Sequence, residues 1–215
     1  MLKLSEIFYS LQGESTFAGL PCLFVRLAGC NLNCSYCDTG YARSETAGKL
    51  IAVAEVVARL LEYRVNLVEI TGGEPLLQEA TPSLVRELLA RNFTVLIETN
   101  GSQSLAEIDP RASLIVDVKT PGSGMSASFN RSNLNLLQSH HQLKFVLVDE
   151  VDFFWSLDFI KENLAGINLA EIIFSPVTAS LAPARLAELM LKYRVKARLQ
   201  LQLHTLLWPD AERGR

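Results

Sequence analysis

Gly29-Cys30-Asn31-Leu32-Asn33-Cys34-Ser35-Tyr36-Cys37-Asp38-Thr39 carries three cysteines spaced C-x3-C-x2-C directly after an apolar run. Three thiolates on a short loop are an incomplete metal shell. Structural zinc and complete iron–sulfur clusters take four protein ligands, whereas three cysteines on a four-iron cluster leave one iron open to a non-protein ligand. The competing reading is zinc or a redox-labile thiol group, and zinc needs a fourth Cys or His nearby. The loop holds none. Cys22 sits on the preceding apolar run and reads as a small buried residue, while His140, His141 and His204 lie far along the chain. His140 and His141 fall in a polar stretch and read as surface residues.

Outward from the loop, strands and helices alternate. Leu4–Ser10 reads as a strand, residues 11–21 as a polar loop, and Leu23–Ala28 as the strand that delivers the cysteines. Val53, Val56, Val57, Leu60 and Leu61 have one-faced helical spacing. Further strands are expected at Leu67–Thr71, Thr94–Glu98, Leu114–Val118, Leu143–Val148, Ile172–Phe174 and Ala197–Leu203. Helices are expected at Pro82–Arg91, Asp149–Asn163 and Pro183–Tyr193. Apolar, β-branched runs of this kind belong to strands covered on both faces, and the alternation predicts an α/β fold with a parallel sheet. The chain has 215 residues. A full eight-unit barrel takes about 250, so an open, partial (β/α) barrel is expected. Between Glu98 and Ser113 there is too little chain for a crossover helix with its loops, so the helical layer is reduced. No repeat, low-complexity segment or linker divides the chain, and residues 1–215 read as a single domain.

Apolar content of 49% is ordinary for a globular chain, and a formal charge of −3 gives no electrostatic case for nucleic acid or an anionic membrane. Small molecules become the default ligands. With no signal-peptide core and no apolar run near 18 residues, a soluble, cytoplasmic protein is expected.

Functional residues in such barrels collect at the carboxyl ends of strands. Here those ends are polar: Arg26, the cysteine loop, Thr71-Gly72-Gly73-Glu74, Glu98-Thr99-Asn100-Gly101, Asp117-Val118-Lys119, Lys144 with Asp149, Ser175-Pro176 and Gln202 to His204. Gly72-Gly73-Glu74-Pro75 lets backbone approach a ligand and offers a carboxylate to an ammonium group, although alone it is also an ordinary turn. Arg26 offers a planar fork to a carboxylate, or a plain strand-end ion pair. Asp38-Thr39 suits a helix N-cap as well as a metal site.

The cysteine spacing, with aromatic Tyr36 just before the last Cys, and the GGEP stretch after a predicted strand resemble the radical S-adenosylmethionine (SAM) superfamily. Glu6-Ile7-Phe8-Tyr9-Ser10-Leu11-Gln12-Gly13-Glu14, Gly19-x-Pro21, Phe24 to Cys34 and Cys37-Asp38-Thr39 resemble, more narrowly, the 7-carboxy-7-deazaguanine synthase family of the queuosine pathway. That resemblance continues through Glu98-Thr99-Asn100-Gly101, Asp117-Val118-Lys119 and Gln200 to His204, departing at Ser15, where Gly is common, and Tyr36, where Trp is common.

The resemblance implies a carbon–nitrogen lyase that rearranges 6-carboxy-5,6,7,8-tetrahydropterin to 7-carboxy-7-deazaguanine with loss of ammonia, using a [4Fe–4S] cluster, SAM and Mg²⁺. In such enzymes the amino and carboxylate groups of SAM chelate the open iron, and one electron from the cluster cleaves SAM to a 5′-deoxyadenosyl radical, so no protein side chain need be the radical source. It implies Cys30, Cys34 and Cys37 as cluster ligands and Thr39 as the Mg²⁺ ligand. SAM contacts fall on Tyr36, Cys37, Asp38, Gly72, Gly73, Glu74, Asp117, Val118, Lys119, Ser175 and Pro176. Substrate contacts fall on Leu11, Gln12, Gly13, Glu14, Arg26, Thr71 and His204. The pterin offers an edge of amide and amino groups for Gln12 and Glu14, and a carboxylate for Arg26. Further partners implied are an external one-electron reductant such as flavodoxin and a second copy in a homodimer. Two other functions share the cysteine motif. A glycyl-radical-enzyme activase needs an open groove for its protein substrate, and the Gln12–Glu14 stretch with Arg26 argues against one. A non-enzymatic zinc or iron–sulfur module is separated by metal analysis.

Overall fold

Along β2 (Pro21–Leu27), Leu23, Val25 and Leu27 enter the main core while Cys22, Phe24 and Arg26 point to the opposite face, the two-residue alternation of a pleated strand. The computed structural model describes residues 1–211, 213 and 214, and its strands form one sheet ordered β3-β1-β2-β4-β5-β6-β7-β8-β9. The other strands are β1 (Leu2–Leu11), β3 (Lys49–Ile51), β4 (Leu67–Gly72), β5 (Thr94–Thr99), β6 (Ser113–Asp117), β7 (Gln142–Leu147), β8 (Glu171–Pro176) and β9 (Arg198–Leu199). The edges β3 and β9 do not pair with each other, so the barrel is open, as expected.

Helices α1 (Val53–Leu61), α2 (Thr81–Leu89), α3 (Glu150–Asn163) and α4 (Pro183–Lys192) cover the outer face. Their buried stripes, such as Val56, Val57 and Leu60 on α1 and Leu84, Val85 and Leu88 on α2, pack against Val68, Ile70, Val95 and Ile97. The inner face holds a second, smaller cluster of Cys22, Phe24, Leu67, Leu96 and Ile115. Phe8 and Phe24 stack there with centroids 4.8 Å apart. No helix lies between β5 and β6. Buried Asn133 holds that connection instead, donating to the carbonyls of Gly101 and Gln103 at 3.0 and 2.8 Å and accepting from Leu105 N at 3.1 Å.

Four expectations need correction. The sheet is mixed, because β1 runs antiparallel to both β2 and β3. Strand β3 was not foreseen, since three residues carry no readable period. The strand expected at Ala197–Leu203 is only Arg198–Leu199, followed by the short helix α5 (Leu203–Leu207), so His204 is helical. The alternating Leu and Gln there resemble a strand, but Gln200 and Gln202 turn inward to bind other segments. His141 is buried and accepts a hydrogen bond from Leu114 N at 3.2 Å. Burial, with His140 beside it, lowers its pKa to about 4.

The open side of the barrel is bridged by side chains. The segment between β1 and β2 crosses it, and Gln200 grips Ser15 at two points, accepting from its N–H at 2.6 Å and donating to its carbonyl at 2.8 Å. Gln142 does the same for Thr16, at 2.8 Å to its N–H and 3.0 Å to its hydroxyl. Leu203 N donates to Gly13 O at 3.1 Å.

Candidate functional site

The cysteine loop is hung from main-chain bonds. Gly29 N donates to Ala42 O and Cys30 N to Arg43 O, both at 2.9 Å, while Ser35 reaches across to Ser123 O and Gly122 O at 3.1 and 2.8 Å. The Gly122 segment is in turn held by buried Asp152 of α3, which accepts from Gly122 N, Thr120 Oγ1 and Val148 N at 2.8–2.9 Å. Cys30, Cys34 and Cys37 line one wall of a cavity of about 270 Å³. Burial pushes the Cys30 and Cys34 thiols up, and the neighbouring Cys37 adds to the rise of both, which places the three thiols within electrostatic reach. Among the described residues no fourth Cys or His joins them, and Cys22 is fully buried with its thiol on Leu23 O at 3.4 Å.

Beside this wall β4 ends in Gly72 and Gly73. A Cβ at Gly72, whose φ is +140°, would sit 2.0 Å from Leu27 O, and one at Gly73 2.2 Å from Gly29 O. The glycines therefore let β4 lie against the root of the cysteine loop, where Gly73 N meets Leu27 O and Glu74 N meets Gly29 O. The Glu74 side chain is fully buried and does not line the cavity. Its carboxylate accepts from Leu76 N, Thr99 Oγ1 and Asn100 N at 2.7–2.9 Å, tying the ends of β4 and β5 together.

The opposite side of the cavity is a charge network around Lys144. Its ammonium contacts Glu14 Oε2 at 2.9 Å, Glu98 more closely still, and Asp117 Oδ2 at 3.8 Å. Burial opposes that charge, yet Glu14 and Glu98 hold the lysine well above its ordinary pKa. Lys119 pairs with Asp117 at 2.7 Å and lies over the Tyr36 ring. Gln202 donates to Glu14 Oε1 at 2.9 Å, and Gln12 donates to Glu69 while accepting from Glu14 N at 3.1 Å. Burial, and then the charge of Glu98, pushes the Glu69 carboxyl above the usual carboxylate range. Arg26 donates from Nε to Glu6 at 2.8 Å and is flanked by the rings of Phe8 and Tyr41. At the rim, His204 Nε2 lies 3.4 Å from Asp38 Oδ2, and Thr39 Oγ1 donates to Asp38 Oδ1 at 2.7 Å. Against the upward push of burial, His204 and Thr39 hold the Asp38 carboxyl below its ordinary range. Thr39 precedes a single helical turn without capping it through its side chain, so the N-cap reading is not realised.

One cavity thus gathers Leu11, Gln12, Gly13, Glu14, Arg26, Tyr36, Cys37, Asp38, Thr39, Thr71, Gly72, Gly73, Asp117, Lys119 and His204 with the other two cysteines. Four expected residues do not line it: Glu74, Val118, Ser175 and Pro176. Val118 alternates away from Asp117 and Lys119 into the outer core. Beyond β8, Val177 N still bonds Leu147 O at 2.8 Å, so the chain reaches the cavity only at Val177, Thr178 and Ala179. Glu69 was missed. Its signal was present, a lone acid inside the fully buried strand Leu67-Val68-Glu69-Ile70-Thr71.

Residues 25–117 match a family model described as the radical SAM superfamily. The chain is 44% identical to a 7-carboxy-7-deazaguanine synthase of Chlorobaculum tepidum, over 98% of this chain and 96% of the relative. It is 38% identical to one of Koribacter versatilis, over 99% and 100%. Among solved structures, QueE from Escherichia coli superposes with a TM-score of 0.75 at 24% identity, covering 94% of this chain and 93% of that one, a likeness of fold.

Proposed function

We infer the reaction from the premise that this chain belongs to the 7-carboxy-7-deazaguanine synthase family of radical SAM enzymes. It is a carbon–nitrogen lyase of queuosine biosynthesis, and its mechanism depends on an iron–sulfur cluster and SAM. The finer reading is that a single domain converts 6-carboxy-5,6,7,8-tetrahydropterin to 7-carboxy-7-deazaguanine and ammonia.

The residues present fit the implied groups. Three thiols without a fourth ligand suit a [4Fe–4S] cluster with one open iron, and about four irons per chain are expected. Asp117 Oδ1 and Tyr36 OH are buried without hydrogen-bond partners among the described residues, on the wall beside the thiols, which suits a polar ligand such as SAM. The Thr39 oxygen keeps lone pairs for Mg²⁺, which takes few protein ligands. When bound, cluster and SAM together supply the hydrogen-abstracting radical.

The chain's own residues orient the substrate. Arg26 uses Nε for Glu6, and its terminal nitrogens bond no protein group among the described residues, leaving a charged face for the pterin carboxylate. Phe24 and Ile115 offer apolar surface to the ring, while Gln12 and Glu14 are locked by Glu69, Lys144 and Gln202 before anything binds. His204 and Thr39 flank Asp38 at the rim, where a proton or cation can be held.

The observation that carries this reading is the joining of three thiols and a preorganised polar wall in one small cavity. Gln142 and Gln200 hold the Gly13–Thr16 segment across the barrel gap, unlike the open groove a protein-directed activase needs. The reading further places the enzyme in the cytoplasm as a homodimer fed by an external one-electron donor such as flavodoxin; no described helix is long and apolar enough to cross a membrane. Anaerobically reconstituted protein given SAM, Mg²⁺, a reductant and the carboxytetrahydropterin is expected to yield the deazaguanine acid by mass. Zinc in place of iron, or SAM cleavage with no such product, overturns it.

A further inference from the structure

Four acids line the inner wall around Lys144, and three of them are neutralised there. Glu14 and Glu98 contact Lys144, and Asp117 is shared between Lys119 and Lys144. Glu69 differs. It has no cation within ion-pair distance among the described residues, and its single side-chain hydrogen bond comes from the Gln12 amide on Oε2. Its strand neighbours in register are Phe24 on β2 and Leu96 on β5, so it projects into the lumen beside an aromatic surface, one inward level deeper than Thr71. Arg26 pairs in register with Thr71, which puts Arg26 and Glu69 on adjacent strands two residues apart in level, about 6–7 Å along the strand.

Resting on the substrate reading above, we propose that Glu69 reads the far end of the substrate, accepting the adjacent ring N–H and exocyclic amino group of a 2-amino-4-oxopyrimidine. A flat acid held by Arg26 at one end presents its other end at the level of Glu69. A carboxylate is the only side chain that accepts two parallel donors, and Oε1 is free while Oε2 keeps a second lone pair. Gln12 cannot do this in its place, because its oxygen already accepts from Glu14 N at 3.1 Å and its nitrogen faces Glu69. Burial and the charges of Glu98 and Glu14 make an empty, ionised Glu69 costly, which the Gln12 amide and the more distant Lys144 only partly offset, and Cys22 behind it adds no positive charge; two donors from a ligand relieve that cost. The enzyme thereby rejects a ring that carries oxygen in place of the 2-amino group, since an oxygen facing the carboxylate leaves both unpaired.

The test is equilibrium dialysis of the cluster-loaded protein with two aromatic probes, 6-carboxypterin and 6-carboxylumazine, which differ at the 2-position only in amino against oxo. The parent is expected to prefer the pterin by about tenfold or more, the worth of one charge-assisted hydrogen bond. Glu69→Gln, which still accepts from Gln12, should bring the two affinities within about threefold, and Glu69→Met should do the same. General damage to the cavity weakens both probes together and leaves the ratio unchanged. A variant that keeps the parent's preference, or a parent with none, overturns the role of Glu69 while the reaction stands. A parent that binds neither probe overturns the pterin reading and this inference with it.

Discussion

The two sides of the cavity are made differently. The wall that carries the cysteines is assembled mainly from main-chain bonds between segments closer in the chain, such as Cys30 N to Arg43 O and Gly73 N to Leu27 O, with Ser35 and Asp152 as side-chain supports. The opposite wall is assembled from side chains that join distant parts of the chain: Gln200 to Ser15 across 185 residues, Gln202 to Glu14 across 188, and Lys144 to Glu14 across 130. A wall shaped by backbone tolerates loss of a side chain and can take up or release a cofactor without collapsing. One shaped by buried polar side chains depends on every member, because each removed partner strands another.

The contrast is broken most directly at Lys144. Lys144→Met leaves Glu14, Glu98 and Asp117 facing one another in a buried site, and should cost about 3–5 kcal/mol of unfolding free energy in urea titrations. A loss under about 1 kcal/mol means that the network is not what holds this wall. The folded pKa of Lys144 lies above that of the unfolded chain, so its contribution is complete below about pH 10 and declines as pH rises further. Urea midpoints at pH 8 and pH 11 should therefore differ more for the parent than for Lys144→Met.

Gln200→Ala probes the same wall with a smaller effect. It strands the buried N–H and carbonyl of Ser15, at a cost of about 2–3 kcal/mol, and amide exchange over residues 13–16 should quicken. Unchanged exchange there shows that Gln142 alone keeps the segment in place.

The smallest change in stability belongs to the cysteine wall. In metal-free protein, Cys30→Ala, Cys34→Ala and Cys37→Ala should each shift unfolding by less than about 1 kcal/mol, since these thiols are partly or fully exposed. Each should nonetheless abolish iron retention after anaerobic reconstitution, whereas Cys22→Ala keeps the iron. Retention of a full cluster by any loop variant, or its loss in Cys22→Ala, reverses the assignment of ligands.

Ser15 shows how a departure in sequence acquires a physical meaning. It stands where glycine is common in the family, and here its φ is +64°, a left-handed conformation that glycine adopts without strain. The pair of hydrogen bonds with Gln200, one accepted and one donated by its amide, holds Ser15 in that conformation. Glu74 shows the reverse. Its place in a glycine-rich turn suggested a ligand contact, but three hydrogen-bond donors within the protein draw it inward. At β8, the strand-end expectation falls on Ser175-Pro176, while the chain continues beside β7 and meets the cavity from the next residue, Val177.

By itself the sequence determined the alternation of strands and helices, the open barrel, the cysteine wall and the glycine turn. Those features come from periodicity and from residues adjacent in the chain, where spacing is geometry. Only the tertiary structure decided that β1 runs antiparallel, that His204 is helical and His141 buried, and that Glu69 lies unneutralised among charges supplied by β5, β7 and the segment after β1. Whether a buried acid is paired depends on which distant strands become its neighbours, and the order of strands in a sheet is set by packing of the whole chain.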